Sequence, residues 1–366
     1  MAVTVAFLAE TAAGERRAAL TPETCKKLLA RNVGVVLHSG AGVPASFPDD
    51  SFPGAQVSGD RKAILAGADI VVCVQPPAND ELRAMKSGSI LVGLLAPHSD
   101  AGRVDALAEA QVTAFSLERL PRTTRAQAMD VLSSQAGMAG YKAVLIAAQL
   151  APRFFPMLTT AAGTIRPSKV LIVGAGVAGL QAIATARRLG AQVEGFDVRP
   201  ETREQIESLG AKFLDLGVSA KGEGGYAREL TEAERAEQQR LLAEHLRQID
   251  VIVTTAAVPG RPAPKIISAQ MVAGMKPGSV IVDLAAETGG NCELTRPGEN
   301  IETGGVLVAG PVNLASMGAL HASEMYARNV FNFLGLLLDA NGQVVLDWND
   351  ELIAKTCLTH AGEKRG

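Results

Sequence analysis

One stretch of the sequence constrains the fold more than any other. Residues 170–173 form an uninterrupted apolar run, followed at once by Gly-Ala-Gly-Val-Ala-Gly and then by a helix-like segment, residues 180–189. In a strand, turn and helix of this kind, the first glycine permits a tight turn, the second lets a pyrophosphate approach the backbone, and the third lets helix and strand pack closely. The stretch therefore predicts a parallel α/β domain with a dinucleotide site at Gly174, Gly176, Val177 and Gly179.

An acidic residue follows the next strand-like run, residues 193–196. Asp197 lies 18 residues beyond Gly179, where a carboxylate can accept hydrogen bonds from an adenosine ribose and repel a 2′-phosphate. This spacing favours NAD(H) over NADP(H), with Val198 and Arg199 beside the ribose. Two alternatives stay open: Arg199 could pair with a phosphate, and the glycine-rich turn could belong to an unrelated α/β protein.

Length and composition narrow the remaining choices. A chain of 366 residues is long enough for two domains. A net charge of -3 without a dense basic run argues against a nucleic-acid partner. Four scattered cysteines and five isolated histidines predict neither a disulfide framework nor a metal site. The N-terminus lacks a signal-peptide pattern, so we expect a cytoplasmic protein.

The order of apolar runs predicts the domain organisation. Strand-like and helix-like segments alternate through the first third and again after residue 169, which is typical of parallel sheets. An Ala-rich segment, residues 125–150, predicts a long helix leaving the first domain. We therefore expect two Rossmann-like parallel-sheet domains flanking a cofactor cleft and linked by long helices. The first would comprise residues 1–126 with 325–366, and the NAD(H)-binding domain residues 127–324.

Three segments together carry a family resemblance. Residues 16–23 (Arg-Arg-Ala-Ala-Leu-Thr-Pro-Glu), the glycine fingerprint, and residues 197–200 (Asp-Val-Arg-Pro) resemble the family shared by alanine dehydrogenase and the NAD(H)-binding domain of proton-translocating transhydrogenase. The likeness covers nearly the whole chain. Other segments distinguish the two branches of the family.

Residues 121–135 resemble the transhydrogenase loop that is named for its Arg, Gln and Asp. By that resemblance, Arg122, Gln127, Asp130 and Ser133 surround the nicotinamide and its ribose. Amide, hydroxyl and charged groups suit that task, since they can bind the carboxamide and orient the ring. The alternative is the start of a helix with a solvated Asp–Arg pair.

Two further segments match the transhydrogenase branch. Residues 222–227, with Gly225 and Tyr226, resemble its mobile loop, which would cover the bound nucleotide and exclude water; a plain surface loop is the alternative. Residues 259–265 and 283–287 resemble segments that line the cofactor cleft, and Ala257 just before them is a predicted nucleotide contact.

The residues of a self-contained dehydrogenase are missing. Alanine dehydrogenases use a lysine and a histidine to bind and protonate a keto acid, and the matching positions here look like Gln75 and Leu95. Neither can act as an acid or base. His98 has the wrong spacing to replace them, and Arg17, which matches the carboxylate-binding arginine, could equally be an ordinary ion-pairing residue.

The resemblance implies that the chain holds NADH and donates its hydride to NADP⁺ on a partner subunit. It also implies a homodimer and a separate membrane-spanning subunit that translocates protons, so the chain would associate peripherally with the inner membrane. The sequence stops at Gly366 without membrane helices, which resembles a separately encoded subunit; a fragment of a longer chain stays an alternative. Two other functions remain open: an NAD-dependent amino-acid dehydrogenase and a non-catalytic NAD-sensing module.

Overall fold

The computed structural model describes residues 2–217, 231–257 and 260–365. It divides into two compact units, residues 1–135 with 315–366, and residues 136–314. Each unit contains a largely parallel sheet with helices between its strands. The predicted α/β class with two Rossmann-like units is confirmed.

The described elements fall into three consecutive groups along the chain. Before the second unit they are, in chain order, β1 (Thr4–Phe7), α1 (Pro22–Leu29), β2 (Gly34–His38), β3 (Gln56–Ser58), α2 (Arg61–Gly67), β4 (Ile70–Val72), α3 (Asn79–Arg83), β5 (Ile90–Gly93), α4 (Ala101–Glu109), β6 (Thr113–Ser116) and α5 (Val131–Leu150), the helix within which the first unit gives way to the second.

The second unit continues with β7 (Leu158–Thr160), β8 (Gly163–Ile165), β9 (Lys169–Val173), α6 (Val177–Arg188), β10 (Gln192–Phe196), α7 (Thr202–Ser208), β11 (Lys212–Phe213), α8 (Glu232–Leu246), β12 (Val251–Thr254), α9 (Ala269–Ala273), β13 (Val280–Asp283), β14 (Asn300–Thr303) and β15 (Val306–Ala309). The chain then returns to the first unit with α10 (Ala319–Leu337), α11 (Glu351–Thr356), β16 (Cys357–His360) and β17 (Glu363–Lys364).

The two main sheets share one topology. In the first unit the strand order is β17-β16-β6-β5-β4-β1-β2-β3, and in the second it is β11-β10-β9-β12-β13-β15-β14. The six parallel strands of each sheet are thus arranged 3-2-1-4-5-6, and the antiparallel strands β16, β17 and β14 extend the edges. In such sheets ligands bind outside the carboxyl ends of the strands, where the strand order reverses. That point lies between β1 and β4 in the first unit, and between β9 and β12 in the second.

Each sheet is buried on both faces. In β1, Val5 and Phe7 belong to one apolar cluster while Ala6 lies in another on the opposite face. In β9, Val170 and Ile172 alternate in the same way with their neighbours. Successive side chains of a strand point to opposite faces, so a strand covered on both sides must be apolar throughout. This explains the uninterrupted apolar runs of the sequence.

The long helix predicted over residues 125–150 was wrong at its start. Residues Thr124–Met129 form a 3₁₀ turn, and α5 begins only at Val131. Asp130 interrupts the helix, since its backbone leaves the helical region and its carboxylate accepts a hydrogen bond from the backbone of Ser133. Asp therefore acts here as a helix cap rather than as a helix-interior residue. Among the described residues, no helix combines the length and apolarity needed to cross a bilayer.

Candidate functional site

The turn between β9 and α6 has two glycines that the chain itself requires. Gly174 has φ +96, and a Cβ added there would lie 2.7 Å from the hydroxyl of Thr255. A Cβ on Gly179 would lie 1.8 Å from the carbonyl oxygen of Gly174. Any larger residue would therefore force the helix away from the strand that precedes it.

Gly176 differs from these two glycines. Its φ of -79 is open to any residue, and no described atom lies within 4 Å of a Cβ built on it. It occupies the N-cap position of α6 without a side-chain cap, and the following Val177 is 46% exposed. No described atom therefore occupies the space beside Gly176 at the positive end of the helix dipole, which is a suitable place for a phosphate.

Asp197 lies beside this turn and is buried. Its carboxylate accepts a hydrogen bond from the backbone of Ala175 (2.8 Å), within the glycine sequence. Arg199 donates three more hydrogen bonds to the same carboxylate. They come from its backbone N–H and its Nε (2.9 Å each) and from its Nη2 (2.7 Å). Val198 is half-buried against the adjacent core. The structure thus brings Asp197 to the glycines and pairs it with Arg199, so the arginine reduces the negative charge next to the turn.

The opposite side of this crevice is formed after β12. The Thr255 hydroxyl donates to the carbonyl of Gly174 (3.0 Å). The side chain of Asn291, which is fully buried, accepts from the backbone of Ala256 (3.0 Å) and donates to the carbonyls of Ala256 (2.7 Å) and Pro264 (2.9 Å). Asn291 thus fixes the backbone next to the predicted contact Ala257.

Sequence reasoning missed this role of Asn291, although one signal was available. Asn291 follows two glycines, Gly289 and Gly290, shortly after the apolar run at residues 280–284. A polar amide so close to a buried strand is a signal that it has a structural role. Buried amides must find partners, so such a residue commonly bridges backbone groups. The partners themselves lie 27 and 35 positions away along the chain and could not be read from the sequence.

The Arg-Gln-Asp segment belongs to the first unit. Arg122 and Gln127 are exposed, whereas Asp130 and Ser133 are half-buried. The Asp130 carboxylate accepts from the Ser133 backbone (2.9 Å) and hydroxyl (2.6 Å). The segment therefore presents an amide and a guanidinium to its surroundings and holds an acid and a hydroxyl together at the start of α5.

The crevice of the first unit, between β1 and β4, contains a buried ion pair. The Arg17 guanidinium donates to Glu15 at 2.8 and 2.6 Å and to the side chain of Gln135 at 2.9 Å. Burial by itself would raise the pKa of Glu15, but hydrogen bonds and the positive charge of Arg17 outweigh it and lower that pKa to about 2. The arginine is therefore already paired with a carboxylate of its own chain.

A second carboxylate closes the same crevice. Glu10 accepts hydrogen bonds from the backbone of Val74 (2.7 Å) and Gln75 (2.9 Å) at the end of β4. Burial raises the pKa of Glu10 to about 7, against the opposing effect of those two bonds. The side chain of Gln75 in turn donates to Glu15 (3.2 Å). The backbone groups at this strand end are thus bound by the chain itself.

A small cavity lies at the Glu10 side of this crevice. The cavity beside Glu10 and Gln75 has a volume of about 10 Å³, enough for roughly one water molecule. Leu95 is fully buried and offers no polar atom except its backbone, which donates to Glu118 (3.1 Å). His98 is exposed. The structure therefore shows no ionisable side chain at position 75 or 95 that could exchange a proton with a substrate.

One predicted segment cannot be placed in either crevice. Gly225 and Tyr226, in the segment that resembles a mobile loop, fall outside the described residues. Within the described ranges, no group of three His, Cys, Asp or Glu side chains could hold a metal ion.

Comparison with known proteins decides the family. The model of the alanine dehydrogenase/PNT N-terminal domain matches residues 6–139, and that of the C-terminal domain matches residues 143–365. The chain belongs to the alanine dehydrogenase/PNT family. The resemblance stated from sequence motifs is confirmed.

Within this family, the chain has similar relatives among the transhydrogenases. The first part of the NAD(P) transhydrogenase subunit alpha of Rhodospirillum rubrum is 43% identical over 370 residues, which cover 98% of this chain and 96% of that protein. A crystal structure of transhydrogenase from Sinorhizobium meliloti superposes with a TM-score of 0.86 at 41% identity and covers 98% of both chains. An L-alanine dehydrogenase structure gives a TM-score of 0.82 at 25% identity, covering 99% of this chain and 96% of that one.

Proposed function

We propose that this chain binds NAD(H) in its second unit and donates the hydride of NADH to NADP⁺ held on a partner subunit. Gly174, Gly176 and Gly179 with Val177 would hold the pyrophosphate, and Asp197 the adenosine ribose. Arg122, Gln127, Asp130 and Ser133 would hold the nicotinamide and its ribose. The names of the 40–43% identical relatives, which are transhydrogenase alpha subunits, support this proposal.

The observation that carries the proposal is the difference between Gly176 and its neighbours. Gly174 and Gly179 are required by contacts within the chain, but nothing described explains a glycine at position 176. A Cβ at position 176 would fill the space beside the N-terminus of α6, and that space fits a bound pyrophosphate. Asp197 beside it fits the hydroxyls of an NAD ribose, although its pairing with Arg199 means that the ribose must share the carboxylate with a guanidinium.

The contents of the other crevice favour transhydrogenation over amino-acid dehydrogenation. Arg17 is paired with Glu15, Glu10 occupies the backbone amides at the end of β4, and Gln75 and Leu95 lack a titratable proton. A keto acid would find neither an unpaired arginine for its carboxylate nor a proton donor at positions 75 and 95, and Glu10, with a pKa of about 7, is held by the backbone amides at the end of β4. Hydride transfer between two nicotinamides needs neither, because the hydride carries both electrons and no separate proton moves.

The protein's task in such a reaction is positioning. NADH supplies the hydride and leaves as NAD⁺, and NADP⁺ accepts it to become NADPH. The chain would bind the nucleotide, fix the ring through the amide of Gln127 and the Asp130–Ser133 pair, and keep the reacting face turned toward the partner. The segment around Gly225 and Tyr226 would exclude water, as the family resemblance implies.

The proposal includes an assembly. The relatives' names describe subunits, so we propose an NADP(H)-binding subunit and a membrane-spanning, proton-translocating subunit as partners, with this chain as a homodimer attached peripherally to the inner membrane. Coupling to proton movement would reside in the partners.

Reconstitution tests the function. Purified chain is mixed with a purified NADP(H)-binding transhydrogenase component, and transfer from NADH to an NADP⁺ analogue is followed spectrophotometrically. We expect turnover that requires both proteins. Oxidation of NADH by pyruvate and ammonia with the chain alone would instead establish an amino-acid dehydrogenase, and NADH binding without turnover in either assay would indicate a sensing module.

The positioning role of Gln127 gives a sharper test. Gln127→Asn shortens the side chain by one methylene and keeps its amide, so the amide can no longer reach the same position. We expect hydride transfer in single-turnover experiments to slow by at least about ten-fold while the Kd for NADH changes by less than about three-fold. Equal losses in rate and affinity would contradict the positioning role.

A further inference from the structure

The Arg-Gln-Asp segment has little internal structure to fix its shape. Its backbone forms a 3₁₀ turn, with short-range bonds from Ala126 to Thr123 and from Asp130 to Gln127. Such i to i+3 bonds have poorer geometry than those of an α-helix. Ala126 and Met129 are buried in the core of the first unit, but Gln127 between them is exposed. Tertiary contacts must therefore decide where Gln127 and Asp130 lie.

One buried side chain provides such contacts on both sides of Asp130. Asn329 of α10 is 7% exposed. Its amide nitrogen donates to the carbonyl of Ala128 (2.9 Å), and its amide oxygen accepts the hydroxyl of Ser134 (2.7 Å). A single rigid amide thus joins the residue after Gln127 to the first turn of α5.

The amide orientation is fixed by chemistry. Ala128 presents a carbonyl oxygen, which can only accept, so the nitrogen of Asn329 must face it and the oxygen must face Ser134. An aspartate would place an acceptor against an acceptor, and a leucine would leave the Ala128 carbonyl and Ser134 without their bonds to position 329. Asparagine is the residue of this size that satisfies both groups.

The network continues into the crevice of the first unit. The side chain of Gln135 donates to the Ser134 hydroxyl (3.2 Å) and to the carbonyl of Ala322 on α10 (3.1 Å), and it accepts from Arg17 (2.9 Å). The start of α5 is therefore held against α10 by a connected set of buried and half-buried polar groups. Fully satisfied networks of this kind hold one conformation because breaking any member leaves a buried group unpaired.

We propose that Asn329 is a positioning residue for hydride transfer, which holds the Arg-Gln-Asp segment in its reactive conformation from about 200 residues away along the chain. This inference rests on the proposed function. Asn329 touches no reacting atom; it acts through the backbone at Ala128 and the hydroxyl of Ser134.

The test compares substitutions along one helix. Asn329→Leu keeps the approximate volume and removes both bonds, whereas Asn329→Asp keeps the acceptor for Ser134 but sets a carboxylate oxygen against the Ala128 carbonyl. Ser323→Ala is the matched control, because it removes another buried hydrogen bond of α10, from the backbone of Ala18 (2.9 Å), without touching the segment. Asn332→Leu removes the second, less buried donor to the Ala128 carbonyl (2.9 Å).

In the reconstituted reaction with NADH and an NADP⁺ analogue, we expect Asn329→Leu to slow single-turnover hydride transfer by about ten- to a hundred-fold. The Kd for NADH should change by less than about three-fold. Asn329→Asp should slow transfer at least as much, because its carboxylate repels the Ala128 carbonyl, and Asn332→Leu should show a smaller loss. Ser323→Ala should lower Tm by a similar amount to Asn329→Leu but leave the transfer rate unchanged.

A double-mutant cycle with Gln127→Asn tests the route of the effect. If Asn329 acts by placing Gln127, the combined variant should be no slower than the slower single variant. Additive losses in that cycle, or a rate for Asn329→Leu equal to that of Ser323→Ala, would overturn the inference while the proposed function stands. A wild-type chain that transfers no hydride would overturn the proposed function itself and this inference with it.

Discussion

The two units place a crevice at the same topological point but fill it differently. In the first unit, the point between β1 and β4 is occupied by Glu10 and by the Glu15–Arg17 pair, and the cavity beside Glu10 has a volume of about 10 Å³. In the second unit, the point between β9 and β12 has a glycine turn in which no described atom lies within 4 Å of a Cβ built on Gly176. One topology therefore supports a closed, charged crevice and an open, glycine-lined one.

The difference between the two crevices indicates which part of this fold determines ligand specificity. Strand order determines where a ligand could bind, but the side chains at the strand ends determine whether anything does. The likeness to an L-alanine dehydrogenase structure extends over the whole fold, whereas in this chain the crevice between β1 and β4 is occupied by the chain's own carboxylates. Three substitutions can break or sharpen this comparison.

The largest effect is expected from Arg17→Leu. This change leaves the Glu15 carboxylate buried without its guanidinium, so we expect a loss of about 3–5 kcal/mol in the free energy of unfolding. Denaturant unfolding at pH 7 measures it. Arg328→Leu, which breaks an exposed pair with Glu23 (2.9 Å), is the control and should change the midpoint little. Similar midpoints for the two variants would show that the closed crevice is not structurally important.

The next largest effect concerns the open crevice. Gly176→Thr adds bulk where no described atom stands, and threonine caps a helix about as well as glycine. We expect the Kd for NADH to rise about 100-fold, or ~2.7 kcal/mol, with Tm nearly unchanged. Calorimetric titration and thermal unfolding give the two quantities. Gly179→Ala should instead lower Tm. The added Cβ would lie 1.8 Å from the Gly174 carbonyl oxygen, so the change destabilises the fold itself.

The smallest effect is a pH dependence of stability from Glu10. Its pKa in the folded chain is raised from the usual 4.5 to about 7 by burial. The folded state therefore holds a proton that the unfolded chain releases, and the stabilisation is complete below pH 4.5 and is lost as the pH rises through 7. Glu15 behaves in the opposite way, since its lowered pKa costs stability only as the pH falls from 4.5 toward 2.

We therefore expect Glu10→Gln to remove a decline in stability between about pH 5 and 7.5. The full shift corresponds to at most about 3.4 kcal/mol, and we expect about half of that because the side chain stays partly exposed. Unfolding midpoints measured across this range for both proteins check it. An identical pH slope in the two would contradict a protonated Glu10.

The sequence alone predicted a large part of the fold. Apolar runs such as residues 170–173 predicted buried parallel strands, and the glycine spacing with Asp197 predicted a dinucleotide crevice, because strand periodicity and close backbone approach are local properties. The helix over residues 125–150 was wrong at its start, since the cap at Asp130 depends on a side-chain bond that helix-like periodicity does not reveal.

Only the tertiary structure decided which polar groups far apart in the sequence form hydrogen bonds with one another. Asn291 bonds the backbone of Ala256, Asn329 joins Ala128 to Ser134, and Arg17 binds both Glu15 and Gln135. Local sequence determines which backbone conformations are favourable, and these conformations identify the strands, the turn and the helix. Which buried polar groups satisfy one another depends on how the sheets and helices pack, and that is fixed only when the whole unit has folded.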